Sequence, residues 1–294
     1  MRIKTSLIFI LIGLFLGTSQ AQSFSNLKND KLIGNVKSVR KEQTWTARKN
    51  GKNVESEKSL MTVDNYDKDG NKTEWLGYFG KDYPLKFVFV CNDEGKVIKE
   101  LSYNFDEVDA ETIYKYNDNG TLAEEIISNG IKKKYSYDSK NNKKSETTHD
   151  LAKDEGGRAF GSVEKVVYFH YYKNNKLKEI GAYNLDGSRV WSPPLQAHRI
   201  VYAYDSKGQI AFETVFHADN SIRRKAHYIY NSNGVLIKEF SFIDYNKFAH
   251  TYKYEYEFDE TGNWSKQIKF QQMRIKKKLA FIPIETVYRT VDYY

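Results

Sequence analysis

Cysteine is almost absent from this sequence of 294 residues, in which Cys91 stands alone. No intramolecular disulfide can form, so packing and backbone pairing must hold the fold even in an oxidising compartment. Proline is also scarce, with four residues, and the adjacent Pro193 and Pro194 cannot lie inside a central strand. The sequence therefore excludes a scaffold stapled by internal disulfides.

Motifs that carry chemistry are missing as well. The six histidines form neither an H-E-x-x-H nor an H-x-H pair, which would place two imidazoles on one metal ion. There is no Gly-rich phosphate loop, no Gly-x-Ser-x-Gly elbow and no Cys-x-x-Cys pair. We predict no catalytic, cofactor-binding or metal-binding residues, no cofactor, and a protein that is not an enzyme.

Charges of both signs are plentiful, with 46 Lys and Arg against 38 Asp and Glu and a formal net charge of +8. Basic runs at 132–134, 223–225 and 276–278 are separated by acidic positions. This arrangement is typical of a solvated face that resists aggregation. Nucleic-acid binding would need a continuous basic face, so we expect no nucleic-acid partner.

The N-terminus has the pattern of an export signal. Arg2 and Lys4 precede an apolar stretch at 7–17, and Ser19 and Ala21 are small residues where a signal peptidase cuts. The stretch is shorter than the roughly 20 residues that span a bilayer, so we expect no transmembrane segment after signal removal. The predicted domains are a signal peptide at 1–21, a short linker at 22–30 and one β-hairpin repeat domain at 31–294. We expect a periplasmic or secreted protein of a Gram-negative bacterium.

The dominant pattern is a repeat of about eight copies, each an aromatic residue followed by an Asp/Asn–x–x–Gly turn. The copies lie at 66–70, 91–95, 116–120, 137–141, 171–175, 204–208, 230–234 and 258–262. A second aromatic residue stands two positions earlier, except in the first copy, which has Asp64. In the second copy Cys91 replaces the repeat aromatic, and we interpret it as an apolar filler rather than a nucleophile. A spacing of two places both rings on one side of a strand, whereas on a helix they would lie about 200° apart.

The turn residues agree with the strand prediction. An Asp or Asn side chain can accept hydrogen bonds from backbone N–H groups ahead of it, and Gly or Asn adopts φ > 0 at low cost. Each unit is therefore a hairpin whose outgoing strand begins with an apolar residue such as Val97 or Leu122. We expect an all-β fold in which consecutive antiparallel hairpins form a long twisted or curved meander sheet or an open β-shell. Its opening strand would be 32–39 and its closing strand 285–294.

On these residues the chain resembles the YD-repeat (RHS-type) family, whose unit reads roughly Tyr-Asp-x-x-Gly-Asn/x-Leu. The best copies are 66–71 and 258–264, and the resemblance covers roughly 63–270. It implies an exported bacterial β-repeat protein, and some members are cell-surface or carbohydrate-binding proteins. Large members wind into a shell that can enclose a toxin. Because no separate effector domain follows Phe270, we expect a short member without a toxin domain.

Glutamates also follow the repeat, five positions after the turn residue. They are Glu100, Glu125, Glu146, Glu213 and Glu239. Catalytic carboxylates of a glycosidase would form one special pair, whereas these residues recur and follow lysines such as Lys99. We therefore interpret them as members of cross-strand ion pairs on an exposed face.

Stacked units offer an extended surface and no single deep site. We expect a non-enzymatic binding or scaffold protein that engages a cell-envelope component or a protein partner. The alternative is a carbohydrate-binding module, because flat aromatic rings stack on sugars. The candidate platform residues are Trp75, Trp191, Trp264, Tyr202 and Tyr228. The partner would be a protein or glycan of the cell envelope, bound where the repeat breaks: at Asp64, at Cys91 and at the inserts 150–161 and 191–197.

Overall fold

The computed structural model describes residues 26–27, 30–78, 84–128, 130–150, 162–184, 187–189, 197–243 and 247–294. The predicted signal peptide and most of the two predicted inserts lie outside these residues. The strands are β1 (Val36–Lys49), β2 (Lys52–Glu55), β3 (Ser59–Tyr66), β4 (Lys72–Tyr78), β5 (Pro84–Cys91), β6 (Val97–Asn104), β7 (Glu107–Tyr116), β8 (Leu122–Ile127), β9 (Ile131–Tyr137), β10 (Lys143–Asp150), β11 (Ser162–Tyr171), β12 (Leu177–Tyr183), β13 (Arg199–Tyr204), β14 (Ile210–Phe216), β15 (Ile222–Tyr230), β16 (Leu236–Ile243), β17 (Lys247–Phe258), β18 (Trp264–Ile275) and β19 (Lys278–Tyr293). Within the described ranges, no helix is long and apolar enough to cross a membrane.

The strands form one antiparallel sheet that closes on itself. From β3 to β19 each strand pairs with the next strand in the sequence, and β1 pairs with both β3 and β19. The result is a closed antiparallel barrel of 18 strands. The remaining strand, β2, pairs with the far end of β1 and forms a hairpin beside the ring.

The expected open meander or shell is therefore wrong, although the all-β class is correct. The finding that overturns it is the register of β1 against β19, which runs from Val36 opposite Tyr293 to Trp45 opposite Glu285. The predicted opening and closing strands pair with each other. An open sheet would leave their backbone N–H and C=O groups exposed as two free edges, and closure removes both edges.

The predicted turns are confirmed. In the first copy the Asp67 carboxylate accepts hydrogen bonds from the backbone N–H of Asp69 at 3.0 Å and of Asn71 at 2.8 Å. Asn92, Asp138, Asn231 and Asp259 make the same pair of bonds in their own copies. The closing residue has φ between 62° and 95° in every copy, whether it is Gly or Asn. These turns lie together at one end of the barrel, which we call the turn rim.

The paired rings lie on one face, as the spacing of two predicts. Tyr202 and Tyr228 are only 1% and 4% exposed, and they pack with Ile180, Ile200 and Val215 in the main core cluster. Side chains converge on the concave side of a closed sheet and diverge on its convex side, so this crowded face is the inner face. The rings therefore line the inner face, where each ring packs beside the ring of the neighbouring unit.

A short N-terminal segment ties the first and last turns together. The Leu27 N–H donates to the Gly70 carbonyl at 3.0 Å. Farther along, Ile33 exchanges two hydrogen bonds with the buried amide of Asn263, at 2.9 and 2.7 Å. Residues from both ends of the chain therefore meet at the turn rim, beside the seam where β1 joins β19.

Candidate functional site

The repeat tyrosines are used by the fold. Their hydroxyls donate to the first carbonyl of the preceding hairpin's outgoing strand, which we call a rung. The rungs are Tyr116 to Val97 at 2.7 Å, Tyr137 to Leu122 at 2.7 Å, Tyr204 to Leu177 at 2.7 Å and Tyr230 to Ile210 at 3.0 Å. Burial raises the pKa of Tyr116, Tyr204 and Tyr230 to about 12. These hydroxyls therefore stay protonated and link successive hairpins.

Tyrosines of the inner face donate hydrogen bonds to three of the recurrent glutamates. Tyr114 donates to Glu100 at 3.0 Å, and Tyr254 donates to Glu239 at 2.9 Å. Glu125 accepts from Tyr135 at 2.5 Å and pairs with Lys133 at 3.2 Å. These carboxylates lie on the inner face among the rings, and each has a partner from a neighbouring strand.

The predicted exposed face for these glutamates is thus wrong. Glu125 and Glu213 are 7% and 5% exposed, and Glu213 pairs with Arg224. Burial raises the pKa of Glu213, as it raises that of Glu100. Cross-strand ion pairs also lie on the opposite face, where half-buried Glu124 meets Lys132 at 2.8 Å.

Asp64, where the repeat first breaks, lies in a buried ionic cluster. It contacts Lys72 at 2.7 Å and Lys41 at 3.5 Å, and Lys72 also reaches Asp30 at 3.0 Å. Tyr66 completes the cluster by donating to Asp30 at 2.6 Å. Burial opposes the charge on Lys72, but the two carboxylates outweigh it and raise the pKa of Lys72. The charges balance, and the cluster joins β1 to β3, β4 and the N-terminal segment.

In the first unit, the two inner-face residues that lie opposite each other on the paired strands have exchanged polarity relative to other units. Most other units pair a ring with a glutamate, as in Tyr114 opposite Glu125. In the first unit Asp64 stands opposite Trp75. Lys72 occupies the place of the apolar residue that begins most of the other outgoing strands, such as Val97 in β6. The sequence signal was the break at Asp64, but the roles of Lys72 and Asp30 were missed.

The second break, at Cys91, opens a cleft. Cys91 holds the place of a repeat tyrosine, and its side chain carries no phenol hydroxyl that could form a rung to the first hairpin. A cleft of about 390 Å³ lies at this place, between the first and second turns. Its walls are Asp67, Asp69, Asn71, Thr73, Phe89, Cys91, Asn92, Asp93, Glu94 and Gly95. Within the described ranges, no group of three or more His, Cys, Asp or Glu is arranged to hold a metal ion.

The predicted platform residues fall into different environments. Tyr202 and Tyr228 are core residues, and Trp191 lies outside the described residues. The ring of Trp75 packs over the backbone of Gly77, where an added Cβ would lie 2.1 Å from the indole. Trp264 carries the Arg289 guanidinium 4.0 Å above its ring. The structure does not bring these rings together, and each described ring has at least one covered face.

Exposed apolar side chains are prominent at the end opposite the turns, which we call the hairpin rim. Those at this rim are Trp45, Val54, Leu85, Phe105, Val108, Ile243, Met273 and Leu279, and a smaller set that includes Ile33, Phe258 and Tyr294 is exposed at the turn rim. Phe105 is 57% exposed and Leu279 is 63% exposed. The backbone of Phe105 has φ of 57°, which is unusual for a bulky residue. The repeat motif does not indicate this rim, because the rim residues lie away from the repeated turns, mostly in strand segments outside the motif.

Comparisons with known proteins give only distant likenesses. No protein-family model matches the chain, and no curated protein sequence matches it. A solved porin-like protein from Bacteroides uniformis is 12% identical, with 88% of this chain and 98% of that chain covered and a TM-score of 0.42. The TcdB2–TccC3–TEV structure is 10% identical, with coverage of 81% and 15% and a TM-score of 0.38. A Tc holotoxin pore from Photorhabdus luminescens is 9% identical, with coverage of 76% and 15% and a TM-score of 0.32.

This chain therefore spans only a small part of the two toxin structures. At these TM-scores, none of the likenesses supports an argument about function. The resemblance to YD-repeat proteins continues to rest on the sequence motif.

Proposed function

We propose that the chain is a short, exported YD-repeat protein that acts without catalysis, as a binding or scaffold protein of the cell envelope. The observation that supports this proposal is a difference between the inner face and the hairpin rim of the barrel. Inner-face carboxylates and phenols such as Glu125 and Tyr135 are engaged with one another. The hairpin rim instead presents large apolar side chains to solvent, and such side chains are what a binding partner would bury.

Site-specific cross-linking tests this proposal. A photoreactive residue would replace Phe105 or Leu279 on the hairpin rim, and a control would replace Lys115, which is exposed on the outer face. We expect discrete adducts with one envelope component from the rim positions and none from the control. No adduct from either rim position, or the same adducts from all three positions, would contradict binding at the rim.

A second function, carbohydrate binding, is favoured by the cleft at Cys91. Carboxylates and amides line it beside the Phe89 ring, and these are groups that bind sugar hydroxyls and sugar faces. A glycan array with the wild type and with Cys91→Tyr, whose ring would fill the cleft, tests this alternative. Specific glycan binding that Cys91→Tyr abolishes would support it, whereas an array without signal would remove it.

A further inference from the structure

The β18–β19 hairpin ends in an unneutralised basic tip. Residues 273–279 contain Arg274, Lys276, Lys277 and Lys278 and no acidic residue. Met273 and Leu279 flank these charges and are exposed. No ion pair among the described residues includes any of the four basic side chains. The tip therefore combines positive charge with exposed apolar surface.

The backbone of this tip is strained. Lys276 and Lys277 form the two-residue turn, and both have positive φ, of 46° and 70°. Such turns favour Asn-Gly because residues with a Cβ are strained in the left-handed region. The β1–β2 hairpin shows the favoured solution, with Asn50 and Gly51 in its turn. The fold does not require lysine at these two exposed positions. The backbone strain therefore indicates that the two lysines have a function other than folding.

The β1–β2 hairpin adds a second basic tip at the same rim. Arg48, Lys49 and Lys52 lie on it, and residues 47–59 are exposed throughout, so both of its faces are open to solvent. Trp45 and Val54 are its exposed apolar side chains. Because β1 pairs with β19, the two hairpins leave the ring from neighbouring strands. We call residues 46–55 and 273–279 together the basic hairpin pair.

We propose that the basic hairpin pair docks the barrel onto an anionic lipid bilayer. This inference rests on the proposed function and specifies the envelope component as the bilayer surface. Lysine and arginine side chains near such a surface are attracted by the negative headgroups. Their long aliphatic stems let the charges reach phosphates while neighbouring apolar side chains enter the interface. Met273, Leu279 and Val54 occupy the places from which apolar groups would enter.

Vesicle binding of the whole barrel tests the proposal. The probes are phosphatidylcholine vesicles with and without about one third phosphatidylglycerol, a content that gives a negative surface. The test variant is Lys276→Gln/Lys277→Gln/Lys278→Gln. The control is Lys68→Gln/Lys140→Gln/Lys173→Gln, which removes the same charge from exposed lysines of the turn rim. Circular dichroism and thermal melting establish that both variants are folded.

We expect the wild type to partition onto the anionic vesicles only, and more weakly as salt is raised. The test variant should partition on the order of a hundredfold more weakly, because each of the three lysines near the surface contributes about a factor of five. The control should bind like the wild type. Undiminished binding by the test variant, or equal losses in both variants, would overturn the proposal.

Failure of this inference can be distinguished from failure of the proposed function. Wild-type protein that ignores anionic vesicles but gives a discrete rim cross-link to one protein would remove the lipid inference and retain the binding role. The absence of both vesicle binding and rim cross-links would remove both.

Discussion

Restoring the missing rung is the most direct test of how the repeat stabilises the barrel. Cys91 stands in the register from which Tyr116 reaches the carbonyl of Val97, one unit later. A tyrosine at position 91 would by analogy point its hydroxyl at the carbonyl of Lys72. The cleft of about 390 Å³ leaves room for the ring, so little overpacking is expected.

The magnitude follows from two contributions and one cost. A hydrogen bond of this kind contributes about 1 kcal/mol net. The ring would bury roughly 60 Å² more apolar surface than cysteine does, which contributes about 1.5 kcal/mol. Ordering the tyrosine side chain costs about 0.5–1 kcal/mol. We therefore expect Cys91→Tyr to raise the free energy of unfolding by about 1.5–2 kcal/mol, which corresponds to a rise in Tm of about 3–8 °C.

Urea unfolding followed by circular dichroism measures this change, and Cys91→Phe is its matched control. Phenylalanine supplies the ring without the hydroxyl, so it should be about 1 kcal/mol less stable than Cys91→Tyr. Tyr116→Phe should lose a similar amount relative to the wild type, because it deletes an existing rung. If Cys91→Tyr and Cys91→Phe were equally stable while both remained folded, the rung would contribute nothing and the reasoning would fail.

Three further predictions concern the turns, the ionic cluster around Asp64 and pH. Gly120→Val should destabilise the protein by roughly 1–2 kcal/mol, because φ at this position is +80°. Gly120→Asn should be nearly neutral, because Asn141 adopts φ of 62° at the equivalent place. Equal losses of stability for the two variants in urea unfolding would refute the turn assignment. Asp64→Asn should cost about 3 kcal/mol by leaving Lys72 with less compensating charge, and Asp64→Asn/Lys72→Met should recover part of that loss; a double variant less stable than the single one would contradict this. Burial raises the pKa of Tyr116 and Tyr204 to about 12, so the folded state keeps protons that unfolded tyrosines release near pH 10, and stability should fall as pH rises from about 10 to about 12. A pH series of melting temperatures that stays flat across this window would contradict the assignment of these phenols as buried.

The strands and turns were predictable because their determinants are local. A ring two residues before another ring fixes which face a strand buries, and an Asp or Asn followed by Gly fixes the turn. Closure was not predictable in this way. It depends on pairing Val36 with Tyr293 at opposite ends of the chain, and on the curvature that each hairpin adds, which no single motif specifies.

The recurrent glutamates show a different limit of prediction from sequence. The pairs Lys99-Glu100 and Lys238-Glu239 suggest ion pairing in the sequence, but adjacent residues of a strand point to opposite faces. The lysine therefore lies outside the barrel when the glutamate lies inside it. The tyrosine that pairs with each glutamate belongs to a neighbouring strand. Counting alternation from Leu122 would have placed Glu125 on the other face, because a bulge at the start of β8 shifts the count by one residue. Its partners Tyr135 and Lys133 also required the register.

Closure through β1 and β19 also sets how such a protein can change. An open array of hairpins can gain or lose a unit at either end, because each unit contacts only its neighbours. Here the two end strands, β1 and β19, are partners that pair residue by residue. Adding one hairpin would shift the tilt and circumference of the whole ring, so the seam would have to be rebuilt at the same time. The number of repeats is thus a property of the complete barrel, and substitutions within units are an easier route of divergence than a change in their number.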